Sequence, residues 1–74
     1  MNPKKKINKI ETGLNLYRLI ESSGKTRAEI ADYLELESVR VIYDWTSGNK
    51  MPSLENLFNL AILFNVSMED ILTA

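Results

Sequence analysis

The chain of 74 residues contains no cysteine and no histidine. It therefore lacks a disulfide, a thiol nucleophile, an imidazole base and the ligands that zinc and most transition metals prefer. Triad-type and metal-dependent catalysis are excluded as expectations, and no cofactor is called for. Absence of cysteine also fits a reducing cytoplasm. Long apolar runs are missing too. The most apolar stretch, Leu57 to Val66, is about half a bilayer span and is interrupted by Asn59 and Asn65. The lysine-rich start MNPKKKINKI is followed by Glu11, Asn15, Arg18 and Glu21, where an export signal would be apolar. The expectation is a cytoplasmic chain with no membrane partner and no small-molecule substrate.

Positive charge is scarce outside the first residues. The formal net charge of −1 conceals Lys4, Lys5, Lys6 and Lys9, which leave five basic against ten acidic residues from Ile10 onward, a net of −5. Domains that live on nucleic-acid phosphates are usually basic, so any such role has to rest on local rather than overall charge.

What is present is helical periodicity with clear stops. No β-like alternation and no internal repeat interrupts it, so the chain reads as all-α, one small domain whose core is only just sufficient. A basic arm, residues 1–11, precedes a folded unit, residues 12–74. The first helix is expected from Thr12 to Ser22, with Leu16, Leu19 and Ser23 inward and Gly24 as its left-handed stop. Thr26 and Glu29 have the spacing of a capping box and start a second helix with Ile30, Ala31 and Leu34 inward. The small Ala31 is where another helix is expected to cross closely. A third helix is capped by Ser38 or Glu37 and runs to Ser47 before Gly48. Its wheel puts Ser38, Val41, Ile42 and Trp45 on one side and Arg40, Tyr43, Asp44 and Ser47 on the other, with Val39 at the edge. Pro52 and Ser53 open a fourth helix with Leu54, Leu57, Leu60, Ala61 and Phe64 inward. Ser67 with Asp70 opens a short fifth one ending in Ile71 and Leu72.

The second and third helices, within Thr26 to Pro52, are joined by too few residues to do anything but turn sharply, which is a helix-turn-helix. The chain from about Thr12 to Leu72 resembles the Cro/C1-type (XRE-type) family of phage and bacterial repressors. The likeness lies in Gly13, Leu16 and Leu19, in Thr26-x-x-Glu29-Ile30-Ala31, in Gly48-x-x-x-Pro52-Ser53-Leu54, and in Asn65-Val66-Ser67-Met68-Glu69-Asp70-Ile71-Leu72. It implies a compact five-helix, lambda-repressor-like DNA-binding domain and a transcriptional regulator, a repressor acting by occupancy alone. The interval from Ala31 to Ile42 is one residue longer than the commonest form and is similar to a long-turn subgroup, in which Trp45 stands at an aliphatic core position. Glu35 occupies the turn where the family often has glycine, and the longer turn is expected to relieve the need for a left-handed residue there.

The resemblance implies which residues face double-stranded DNA. Base contacts fall to Val39, Arg40, Tyr43, Asp44 and Ser47, with Arg40 foremost because a guanidinium can grip guanine O6 and N7 in a bidentate way. Phosphate contacts fall to Thr26, Arg27, Asn49, Lys50 and the arm lysines Lys4, Lys5 and Lys6. Arg27 stands where the family has a phosphate-binding glutamine. Ile20 and Thr46 stand where many members pair an arginine with a glutamate, so both charges are absent together. Asp44 is unfavourable, a carboxylate where phosphates approach. Glu21, Glu55, Glu69 and Asp70 are expected away from this face.

Phe58, Ile62 and Leu63 form an apolar set on the outside of the fourth helix. A homodimer would cover it and set two recognition helices about 34 Å apart; the fifth helix, or Ile7 and Ile10 of the arm, would cover it within one chain. The competing function is an antitoxin-like or other protein-interaction module with weak or no DNA binding. Two motifs are decoys. Gly24-Lys25-Thr26 lacks the earlier glycine and strand of a phosphate loop, and Asn65-Val66-Ser67 is a helix cap rather than a glycosylation site.

Overall fold

The computed structural model describes residues 3–73. Five helices follow one another: α1 (Lys9–Ser23), α2 (Arg27–Tyr33), α3 (Arg40–Thr46), α4 (Leu54–Phe64) and α5 (Met68–Ile71). Each start is a local polar event. Asn8 caps α1 by accepting from the Glu11 N–H at 3.0 Å, so the helix begins three residues before the expected Thr12. Thr26 and Glu29 form the expected capping box, with both hydrogen bonds at 3.0 Å. Ser67 and Asp70 repeat it at α5, and Ser53 caps α4 through the Asn56 N–H.

The start of α3 departs from expectation. Val39 occupies the cap position and supplies no side-chain bond, while the expected cap Ser38, one residue earlier, accepts from the Arg40 N–H at 3.2 Å. The first turn is correspondingly tight, with Val41 and Ile42 donating three residues back to Ser38 and Val39. Ser38 itself is exposed rather than inward, because it precedes the helix to which the wheel assigned it.

Three helices end in the same reversal. At α2 the Glu35 N–H donates to Asp32 and the Leu36 N–H to Ala31; at α3 Gly48 and Asn49 donate to Trp45 and Asp44; at α4 Asn65 and Val66 donate to Ile62 and Ala61. This pairing is the Schellman motif and requires a left-handed residue at its centre. Gly48 takes it at φ 78°, Asn65 at 56°, and Glu35 at 57°. The longer turn therefore does not relieve Glu35. Returning Leu36 to pack on the core demands the reversal whatever residue stands there.

Every helix contributes to one core: Leu16 and Ile20, Ile30 and Ala31, Ile42 and Trp45, Leu57, Leu60 and Ala61, and Ile71. Ile20, at the family's charged position, is 2% exposed and replaces the expected Leu19 and Ser23 as the deep contact of α1, both of which are only half-buried. Leu34, Val41, Phe64 and Leu72 pack around the rim. Leu54 is 76% exposed, contrary to its wheel position, because it opens α4 a turn before Leu57, where the core begins.

Helix α1 crosses closely on α3 at Gly13. A Cβ at Gly13 would stand 2.5 Å from the Trp45 carbonyl oxygen and 2.8 Å from that of Thr46. One turn earlier, a Cβ at Gly48 would stand 2.9 Å from the Ile10 Cα, which fixes the beginning of α1 beside the end of α3. The other flank of α1 is tied to the chain end. Buried Thr12 accepts from the Thr73 N–H at 3.0 Å, and the Asn15 amide donates to the Ile71 carbonyl and the Thr73 hydroxyl. The Asn8 N–H donates to the Thr73 carbonyl at 2.6 Å.

Candidate nucleic-acid interface

The outer face of α3 is open. Ile42 and Trp45 anchor the helix from beneath, so Arg40, Tyr43 and Ser47 point away from the core and are exposed, with Val39 37% exposed at the edge. Between this face and α1 lies an open groove of about 490 Å³ lined by Leu14, Tyr17, Arg40, Tyr43, Asp44, Thr46 and Ser47. The wheel of α3 found four of these residues. Thr46, Leu14 and Tyr17 were missed, although the signal for the last two was available: with Glu21 they form a stripe of α1 bordering its buried Gly13 and Ile20.

Arg27 is the best-held side chain on the face. Its guanidinium lies over the Tyr17 ring at 5.7 Å from the centroid and over the Tyr43 ring at 5.2 Å. Its Nη2 meets the Glu21 carboxylate at 3.2 Å. Only 21% of the side chain is exposed, and Nε is buried with no hydrogen-bond partner. Glu21 thus lies on the face from which it was expected to be absent. The reason is the crossing of α1 over the helix-turn-helix, which brings the Glu21 side of α1 against the start of α2.

Asp44 is less isolated than its charge alone implied. Its backbone carbonyl accepts from both Asn49 and Lys50 at 3.0 Å. Its carboxylate takes the Asn49 amide at 3.5 Å and lies 3.9 Å from the Lys50 ammonium. Asn49 and Lys50 are thereby gathered at the end of α3. Thr26 is occupied as a helix cap, and its N–H and hydroxyl, with Lys25 nearby, hold the Glu29 carboxyl below its ordinary range against a small opposing effect of desolvation.

Arg27 and Lys50 therefore each have a carboxylate neighbour, whereas Arg40 is in no ion pair among the described residues. Lys4, Lys5 and Lys6 are exposed and precede Asn8 at the start of α1, the end that abuts Gly48.

Phe58 and Ile62 are 55% and 57% exposed and border a second open groove, of about 420 Å³, with Ala61, Asn65, Val66, Ser67 and Met68. Neither of the expected intramolecular covers buries them: α5 only rims the groove, and Ile7 and Ile10 are themselves more than half exposed. Leu63 does not join them. It turns to a separate depression with Leu19, Ser22, Ser23, Lys25 and Phe64.

No acidic cluster among the described residues is arranged to hold a metal ion, and none of their helices is long and apolar enough to cross a membrane. No curated protein and no solved structure matches the chain. A family model described as Helix-turn-helix matches residues 16–71, from the core leucine of α1 to the buried isoleucine of α5. The chain is a member of the Cro/C1-type helix-turn-helix family, a class of DNA-binding regulatory domain.

Proposed function

We propose that this protein is a sequence-specific transcriptional regulator, a repressor of bacterial or phage type, which inserts α3 into the major groove and acts by occupying an operator without a catalytic step. The observation that carries the reading is Arg40, exposed at the first position of α3 and free of any ion pair among the described residues. A guanidinium there reads guanine in the major groove, worth about 1–3 kcal/mol of discrimination. Val39 and Ser47 flank it as further base contacts. Tyr43 and Asp44 act mainly by holding Arg27 and Lys50. Phosphates are met by Thr26, Arg27, Asn49, Lys50 and the lysine arm, and the protein works in the cytoplasm on the nucleoid.

Selection from random duplexes at low and moderate salt tests this. The wild type enriches a palindromic site, and Arg40→Ala loses the enrichment while its circular dichroism stays helical. Unchanged site preference in the variant removes Arg40 as the reader. No enrichment by the wild type even at low salt favours the protein-interaction reading, which the exposed Phe58 and Ile62 groove supports.

A further inference from the structure

We propose that Glu21 is a tethered stand-in for a DNA phosphate, holding Arg27 in its clamp until the duplex displaces it; this rests on the DNA-binding function proposed above. Three observations converge on it. Arg27 lies over both the Tyr17 and Tyr43 rings, 5.7 and 5.2 Å from their centroids, so two cation–π contacts hold its guanidinium in place. One of its terminal nitrogens already meets an anionic oxygen, Glu21 Oε1, at 3.2 Å. The third is Nε, buried but without a partner, a donor that the present anion leaves unused.

A planar guanidinium presents a fork of donors that suits two oxygens of one anion. Glu21 engages that fork through a single contact at 3.2 Å, and its side chain is 53% exposed, so it can swing out into solvent. A phosphodiester brings a full negative charge and two free oxygens and is not constrained by a helix. Tyr43 makes the clamp sensitive to the recognition helix, since the same ring that covers Arg27 lies one turn beyond Arg40 on α3. Glu21 therefore cancels the charge of Arg27 in the free protein and opposes the approaching backbone. A domain that already carries excess negative charge binds only where α3 makes enough base contacts to expel it. Glu21 is a specificity-determining residue in this scheme, suppressing non-specific binding more than specific binding.

Glu21→Gln isolates the effect. Each phosphate neutralised on duplex DNA steepens the dependence of log K on log salt by about 0.9 and changes affinity about threefold between 50 and 200 mM salt. For Glu21→Gln the expectation is about three- to tenfold tighter binding to random duplex at 0.1 M salt, a slope steeper by about one, and a smaller ratio of specific to non-specific affinity. Glu69→Gln makes the same change of net charge on α5 and is expected to leave all three quantities unaltered. An unchanged slope in Glu21→Gln, with the wild type binding normally, overturns the role of Glu21 and leaves the regulator reading intact. Equal tightening by both variants reduces the effect to net charge and also overturns it. Failure of wild type and variant alike to bind duplex at low salt overturns the DNA-binding reading and this inference with it.

Discussion

At Glu35 the backbone demands what the side chain resists. A residue with a Cβ loses about 1–2 kcal/mol in the left-handed region, while glycine gives back about 0.5–1 kcal/mol through the greater freedom of its unfolded chain. Glu35 is exposed and closes α2 with φ 57°, so Glu35→Gly is expected to stabilise the domain by about 0.5–1 kcal/mol, read as a higher urea midpoint with unchanged slope. A lower midpoint would mean that the glutamate side chain contributes more than the strain removes. The left-handed turn was hidden in the sequence because glutamate gives no sign of it; Gly24 and Gly48 announced theirs. Gly13 is a different case. Its family position marked it, but only the two carbonyl oxygens of α3 show why nothing larger fits.

The helices that were plain in the sequence are those whose ends obey rules spanning four residues. Thr26 with Glu29 and Ser67 with Asp70 announce their helices without reference to the rest of the chain, and both boxes form. The wheels gave most inward positions but failed at the helix ends, at Ser38 and Leu54, because periodicity gives a direction but not where the core stops, and in α1 they chose Leu19 over the buried Ile20. The Tyr17–Arg27–Tyr43 clamp was illegible for a related reason: its three members come from three helices, and only the crossing at Gly13 brings them together. The two capping boxes also set an acid limb to stability. Backbone N–H and then hydroxyl hydrogen bonds from Thr26 and Ser67 lower the Glu29 and Asp70 pKa values from the ordinary 4.5 and 3.8. A carboxyl depressed by folding contributes stability that is fully present above its unfolded pKa and is lost as pH falls through the lower folded one. The urea midpoint is therefore expected to fall as pH drops below about 4.5, and to fall less in a Glu29→Gln, Asp70→Asn double variant. Parallel pH profiles for the two proteins would assign the acid limb to other carboxylates.

For the molecule as a whole, one copy is expected to read DNA weakly. Its body carries a net of −5 from Ile10 onward, two of the three cations assigned to the α2–α3 surface have carboxylate neighbours, and the lysines that compensate sit on an arm. Pairing two copies changes that balance without adding a contact to the single face, because the second half-site is then engaged at a high effective concentration. The exposed Phe58 and Ile62 on α4 would supply the means. Both are more than half exposed, and covering the remainder is worth about 1–1.5 kcal/mol for each side chain in each copy. A two-fold axis through that groove would make the same side chains serve both copies, with Leu63, which lines a separate depression, outside the contact. Sedimentation should accordingly show a wild-type dimer, at least when a palindromic duplex is present, and a monomer for Ile62→Asp. That variant should keep its helical spectrum, since Ile62 is outside the core, yet lose most of its affinity for the full palindrome while binding a half-site as before. A wild type that sediments as a monomer both alone and on the palindrome would confine the groove to some other partner and leave each domain to read its site singly.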